Sequence, residues 1–175
     1  MAILIDSYSE SNQSGMAGDS TTIKFGQSFT GSNAFITSAK FNLRTNSGAT
    51  GTLRAYLYTI SGTYGVNSTP DTLLATSDAV DVSTIGTDTV LVEFTFSGTE
   101  QYKMGNEYYF ITMEGSATDT VWFGQDGSSP THSGNYWSRW GARSDIDACF
   151  YVYGEEESTP IVGKKYPLPP FRRSV

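Results

Sequence analysis

A single cysteine, Cys149, excludes an intramolecular disulfide framework. A single histidine, His132, leaves too few ligands for a zinc site when joined only by that cysteine. No Gly-x-Ser-x-Gly elbow accompanies His132, so a serine triad has no nucleophile to build on. The residue lies in a Pro-Thr-His-Ser-Gly segment and is expected to be an exposed loop histidine. No apolar run approaches the roughly 20 residues of a membrane-spanning helix. The opening Met-Ala-Ile-Leu-Ile-Asp has neither a basic region nor a long apolar one, so no signal peptide is expected and the protein is expected to be made in the cytosol. The sequons at Asn12 and Asn67 are read as chance matches in a chain rich in Asn, Ser and Thr.

Positive charge is also scarce. Charged residues are 17% of the chain and the formal net charge is −7, which argues against a nucleic-acid partner, whose phosphates demand Lys/Arg clusters. The deficit is uneven. Residues 1–157 hold all 18 acids and 7 of the 11 bases, whereas residues 158–175 hold the other 4 bases and no acid. No window keeps a 3.6-residue period, which excludes a helical bundle.

What the chain has is glycine (18 residues), tyrosine (11) and phenylalanine (10), with period-two patterning. This composition suits short strands and tight turns. The clearest stretch is Phe35 to Ile60. Ala39, Phe41 and Leu43 alternate with Lys40, Asn42 and Arg44; after a turn at 45–51, Leu53, Ala55 and Leu57 alternate with Arg54, Tyr56 and Tyr58. The pattern predicts an antiparallel hairpin with one buried face. Further strands are expected at Ala2–Ile5, Ile23–Phe29, Leu73–Leu74 bending toward Val80, Val90–Phe96, Glu107–Glu114, Thr120–Gln125, about Tyr136–Trp140 and Ile146–Tyr153. Residues 7–20 read as a polar loop. Gln27 falls on an apolar face, either as a buried, hydrogen-bonded amide or at a bulge beside Gly26. The segment 107–114 is apolar on both faces, as in a strand covered on both sides. About ten strands with turns between them predict an all-β, two-sheet antiparallel sandwich over residues 1–154.

Residues 155–175 differ. Four of the six prolines (Pro160, Pro167, Pro169, Pro170) fall here, which forbids an interior strand. The segment is expected to be extended, with Ile161, Val162, Tyr166, Leu168 and Phe171 interleaved with Lys164, Lys165, Arg172 and Arg173. Apolar and aromatic content without a domain to bury it predicts a docking peptide rather than a disordered terminus.

The runs Phe25-Gly26-Gln27-Ser28-Phe29-Thr30, Gly51-Thr52-Leu53-Arg54-Ala55-Tyr56-Leu57-Tyr58 and Gly105-Asn106-Glu107-Tyr108-Tyr109-Phe110 carry a resemblance. With Leu73-Leu74-Ala75-Thr76-Ser77 and Phe94-Thr95-Phe96, they resemble a jelly-roll β-sandwich module of tailed-phage virion proteins and bacterial surface proteins, similar in shape to carbohydrate-binding modules. The resemblance spans about residues 22–153. It implies the fold and no ligand residue, because the matching positions are core and turn positions.

The binding candidates come from the residues themselves. Trp122, Gln125, Tyr136, Trp137, Arg139 and Trp140, with Asp126 and Arg143 close in sequence, are the set from which a sugar-stacking platform or a protein interface would be drawn. Alternation puts Trp137 and Arg139 on one face and Tyr136, Ser138 and Trp140 on the other, so only part of the set can share a surface. One or two tryptophans are expected to plug the core. Asp119, Asp126, Asp145 and Asp147 are oxygen donors of the kind calcium takes, but no EF-hand-type loop is present, so they are read as turn aspartates and no cofactor is expected. No carboxylate pair stands out for glycoside cleavage, and Cys149 has no sequence neighbour to activate it. The expected function is therefore non-catalytic. The first expectation is a phage virion component, a capsid decoration or tail-attached protein, docked on other virion proteins or on copies of itself. The alternative is adhesion to cell-surface polysaccharide. No membrane partner is expected.

Overall fold

The computed structural model describes residues 1–20 and 22–157, so Ile161 to Arg173, expected to form a docking peptide, lie outside the described part. The fold is all-β. Its strands are β1 (Ala2–Tyr8), β2 (Gly15–Asp19), β3 (Ile23–Thr30), β4 (Ala34–Thr45), β5 (Gly51–Ser61), β6 (Thr69–Thr76) and β7 (Val80–Asp81). They continue as β8 (Val90–Thr95), β9 (Tyr108–Ala117), β10 (Val121–Asp126), β11 (Tyr136–Ser138), β12 (Gly141–Arg143), β13 (Asp147–Ala148) and β14 (Phe150–Glu156). The first sheet runs β1-β14-β4-β10-β13, with β2 beside β10 and β8 beside β4; the second runs β12-β11-β3-β9-β5-β6, with β7 beside β5. Strand neighbours are antiparallel, as in β4 with β14 and β5 with β9. The two sheets pack face to face as a sandwich compatible with a jelly roll.

The alternation read in the sequence is the alternation of burial. Ala39, Phe41, Leu43, Leu53, Ala55 and Leu57 are all fully buried. Their pairing differs from expectation, because β4 and β5 are not a hairpin. β4 belongs to the first sheet and β5 to the second, and the intervening turn crosses from one layer to the other. Period two reports which side chains face the core; it does not report which strand lies alongside.

Eight phenylalanines are buried to below 2% exposure, among them Phe25, Phe41, Phe94, Phe123 and Phe150. Phe25 of the second sheet stacks on Phe123 of the first at 5.3 Å between ring centres, and Phe123 in turn meets Phe41 at 5.5 Å. Phe41 also meets Phe94 edge-on at 5.7 Å. Each such side chain contributes about 1.5–3 kcal/mol on burial, so these rings dominate the cohesion of the sandwich.

Other expectations fare unevenly. Met104 packs into the core and Tyr102 against it. In β8, an edge strand, Phe94 is fully buried, Val92 packs against the core and Leu91 faces away, whereas Val90 at the strand's start, expected to face inward, is exposed. The polar stretch 7–20 is not merely a loop: Gly15–Asp19 pairs with β10, backbone to backbone, with no apolar alternation to betray it. The last strand reaches Glu156, where sequence reading ends it at Tyr153, and its start is split by a break at Cys149.

Phe41→Ala should lower unfolding free energy by about 3–5 kcal/mol in a urea titration, because it empties the contact of three rings. A loss under about 1 kcal/mol would contradict this packing.

Candidate functional site

The aromatic set is dispersed over three places. Trp122 stands half-buried on the outer face of the first sheet, with the Arg44 guanidinium 4.9 Å from its ring centre and Gly18 beside it. Trp137 lies half-buried on the outer face of the second sheet, edge-on to the fully buried Phe110 at 6.3 Å. Neither plugs the core; Tyr136 does, at 4% exposure and 6.5 Å from Phe25. Tryptophan at an outward strand position still loses much of its surface, because the sheet floor and its neighbours cover one ring face.

The rest of the set does converge. Gln125, Tyr136, Trp140 and Arg143 line one cleft of about 300 Å³, together with Ala17, Ser138, Gly141 and Ile146. The cleft opens where the short β11–β12 hairpin overhangs the β2–β10 edge of the opposite sheet. Trp140 sits at the hairpin tip at 65% exposure, the most exposed large aromatic side chain among the described residues. The Arg139 guanidinium stacks over it at 4.5 Å and ties back to the buried Asp19, Nε to Oδ2, at 2.8 Å. Arg143 donates from Nε and Nη2 to the two oxygens of Asp145, both at 2.7 Å.

A buried polar junction positions this end of the molecule. Gln27 is fully buried in an unbulged β3, which decides the alternative left open by the sequence. Its amide N–H donates to Asp147 Oδ1 at 2.9 Å, and its Oε1 accepts from the Ala148 backbone N–H at 2.9 Å. His132 is not an exposed loop residue: its side chain keeps 7% of its surface and packs edge-on against Phe150 at 5.2 Å. Nδ1 accepts from the Gly134 backbone N–H at 3.0 Å, which leaves the ring proton on Nε2, 3.3 Å from Asp6 Oδ1. The backbone N–H of His132 donates to Asp147 Oδ2 at 2.8 Å. No hydroxyl or thiol is hydrogen-bonded to this ring among the described residues, so the arrangement holds a loop and does not prime a nucleophile.

The carboxylates take their charge states from these contacts. Burial pushes Asp147 above its ordinary value. At Asp6 burial works in the same direction but is outweighed by hydrogen bonds from His132 and Thr30, and the net shift is downward. The Ser128 backbone N–H, the Ser14 hydroxyl and the Tyr8 hydroxyl hold Asp126 well below the usual carboxylate range. Its contribution to stability is therefore complete above the ordinary carboxylate pKa and is lost as pH falls through its own lower value. Asp119 accepts from Asn46 and the Thr120 N–H, so the four candidate calcium aspartates are each engaged locally. Among the described residues no group of three or more His, Cys, Asp or Glu is placed to hold a metal ion. Cys149 is fully buried, and burial pushes its thiol up to about 12, far from thiolate reactivity.

One surface was missed in the sequence. On the outer face of the second sheet, Tyr56 and Tyr58 stand beside Thr112 and Glu114 of β9. Glu114 Oε1 accepts from both the Tyr58 and Thr112 hydroxyls, at 3.0 and 2.8 Å, while Oε2 lies 3.1 Å from Lys24 Nζ. Further along, Tyr64 stacks flat on Tyr108 at 4.0 Å. These side chains cover β9 from outside without a third layer, which explains its two apolar faces. The outward alternation of Tyr56 and Tyr58 was the available signal.

No family model, no curated protein and no solved structure matches this chain. The class defined by fold and site is an all-β, two-sheet antiparallel sandwich with a cleft at one end.

Gln27→Leu should cost about 2–4 kcal/mol, because it strands a buried carboxylate oxygen and a backbone N–H in place of a satisfied amide. Urea titration checks this; a neutral outcome would show that the junction is not structurally required.

Proposed function

We propose that the chain is a non-catalytic structural and binding module, a phage virion component of the capsid-decoration or tail-attached kind, held in place by the basic, proline-rich segment after the sandwich. The observation that carries this reading is the way the chain leaves the fold. β14 is paired on both sides, with β1 and with β4, as far as Glu155 and Glu156. The sequence that follows therefore departs from an anchored strand, suited to bear load between the sandwich and a neighbour. An acidic body and a basic segment are also complementary between copies. Other virion proteins, or further copies of this chain, are the partners, and the virion is the location.

A second reading, attachment to cell-surface polysaccharide, is favoured by the cleft under Trp140. A flat exposed ring beside an amide and guanidinium groups is the usual equipment for stacking a sugar's C–H face and fixing its hydroxyls. The two readings are compatible in one particle protein.

Quantitative mass spectrometry of purified extracellular particles should find the chain in fixed stoichiometry with a major capsid or tail protein. Deleting residues 158–175 should abolish incorporation while leaving the sandwich folded by circular dichroism; undiminished incorporation would sink the docking role. For the second reading, tryptophan fluorescence should respond to at least one surface polysaccharide. Silence across a broad panel would remove it.

A further inference from the structure

The cleft under Trp140 has a cation, Arg143, on its wall, yet its electrostatics do not suit an anion. Arg143 lines it and is already matched by Asp145, which takes both Nε and Nη2 in a two-point pairing. Arg139 stacks on Trp140 without lining the cleft, and its Nε is matched by the buried Asp19. Two guanidinium groups against two carboxylates leave a local formal charge of zero. An incoming carboxylate or sulfate would have to displace Asp145, which is held two residues away in the same chain at high effective concentration. It would also approach a body whose net charge is negative.

What the cleft offers instead is directional and uncharged. Arg143 keeps N–H groups beyond the two that Asp145 takes. Asp145, which pairs with Arg143 but is not part of the cleft lining, keeps lone pairs, and the Gln125 side-chain amide stands on the cleft wall. The Trp140 ring supplies a flat face, its plane fixed by Arg139 stacked upon it. Neutralised guanidinium–carboxylate pairs present a donor beside an acceptor, which matches two neighbouring hydroxyls, and the ring matches the C–H face of the same unit. The volume, about 300 Å³, is at the lower end of small-molecule sites and suits a terminal sugar or one short repeat rather than a buried chain.

We infer that this cleft binds a neutral pyranose unit of a glycan, with Trp140 as stacking platform and Gln125 and Arg143 as hydroxyl partners. The inference rests on the glycan-attachment reading and names the class of sugar and the place.

The test is affinity electrophoresis and titration calorimetry of the full chain against neutral polysaccharides (a β-glucan, a mannan, a galactan) and uronate polymers (alginate, polygalacturonate). At least one neutral polymer should bind, with affinity changed less than about twofold between 0.05 and 0.5 M NaCl, since no net charge is neutralised. Trp140→Ala should weaken it about tenfold or more, and Gln125→Ala measurably. Trp122→Ala, on the opposite sheet's outer face, should leave it unchanged. Binding confined to the uronate polymers and erased by salt would overturn the inference while keeping the glycan reading. Neutral binding indifferent to Trp140→Ala would overturn the placement and move the site elsewhere, such as the Tyr56–Tyr58 face. No binding to either class would remove both.

Discussion

The side-chain amide of Gln27 is the contact on which this end of the structure depends. It is the polar member of the inward row of β3, between Phe25 and Phe29, and it reaches across the sandwich to Asp147 and Ala148 in the opposite sheet. The phenylalanine core supplies most of the cohesion but is indifferent to orientation. A buried amide is not, since any other arrangement leaves donors and acceptors unpaired in a medium where that is costly. From this contact the constraint spreads. Asp147 fixes the backbone of His132, and His132 accepts from Gly134. Asn135 then holds Ser68 and the carbonyl of Tyr136. That loop carries the chain from the first sheet into β11, so the placing of Trp137, Trp140 and the cleft follows from it.

Much of the fold was legible in the sequence, and for a definite reason. Alternation at Ala39-Phe41-Leu43 and Leu53-Ala55-Leu57 encodes burial directly, and every one of those residues is buried. The pairing of strands was not legible, because a turn between two amphipathic strands can fold back within one sheet or cross to another with the same pattern of side chains. β2 was invisible for a different reason: Gly-Met-Ala-Gly-Asp pairs through its backbone against β10 and carries no periodic signal. His132 was misplaced because sequence proximity to Pro, Ser and Gly says loop. It does not say that the loop is folded inward over Phe150.

The site was legible in part. Tyr136, Trp140 and Arg143 converge as their nearness in sequence suggested, since a three-residue strand, a tight turn and another three-residue strand keep neighbours together, and Gln125 joins them from β10 across the sandwich. Trp122 and Trp137 separate because β10 and β11 lie in opposite sheets and both residues point outward. The partners of Arg143, which lines the cleft, and of Arg139 behind Trp140, Asp145 and Asp19 respectively, needed the structure to be seen. Asp19 lies 120 residues from Arg139, and no local pattern pairs them. With those pairs in place, both guanidinium groups are matched by carboxylates.

The position of β14 has a consequence for how the protein comes into being. The last described strand is inserted between the first, β1, and the long β4, and Ala2 faces Glu155 across the seam. During synthesis β1 and one edge of β4 stay unsealed until residues 150–156, more than a hundred residues after β4, have been made. The nascent chain therefore passes through a long interval with sticky, unpaired strand edges. Completion of the sheet is a single late event that depends on the two ends of the sandwich meeting.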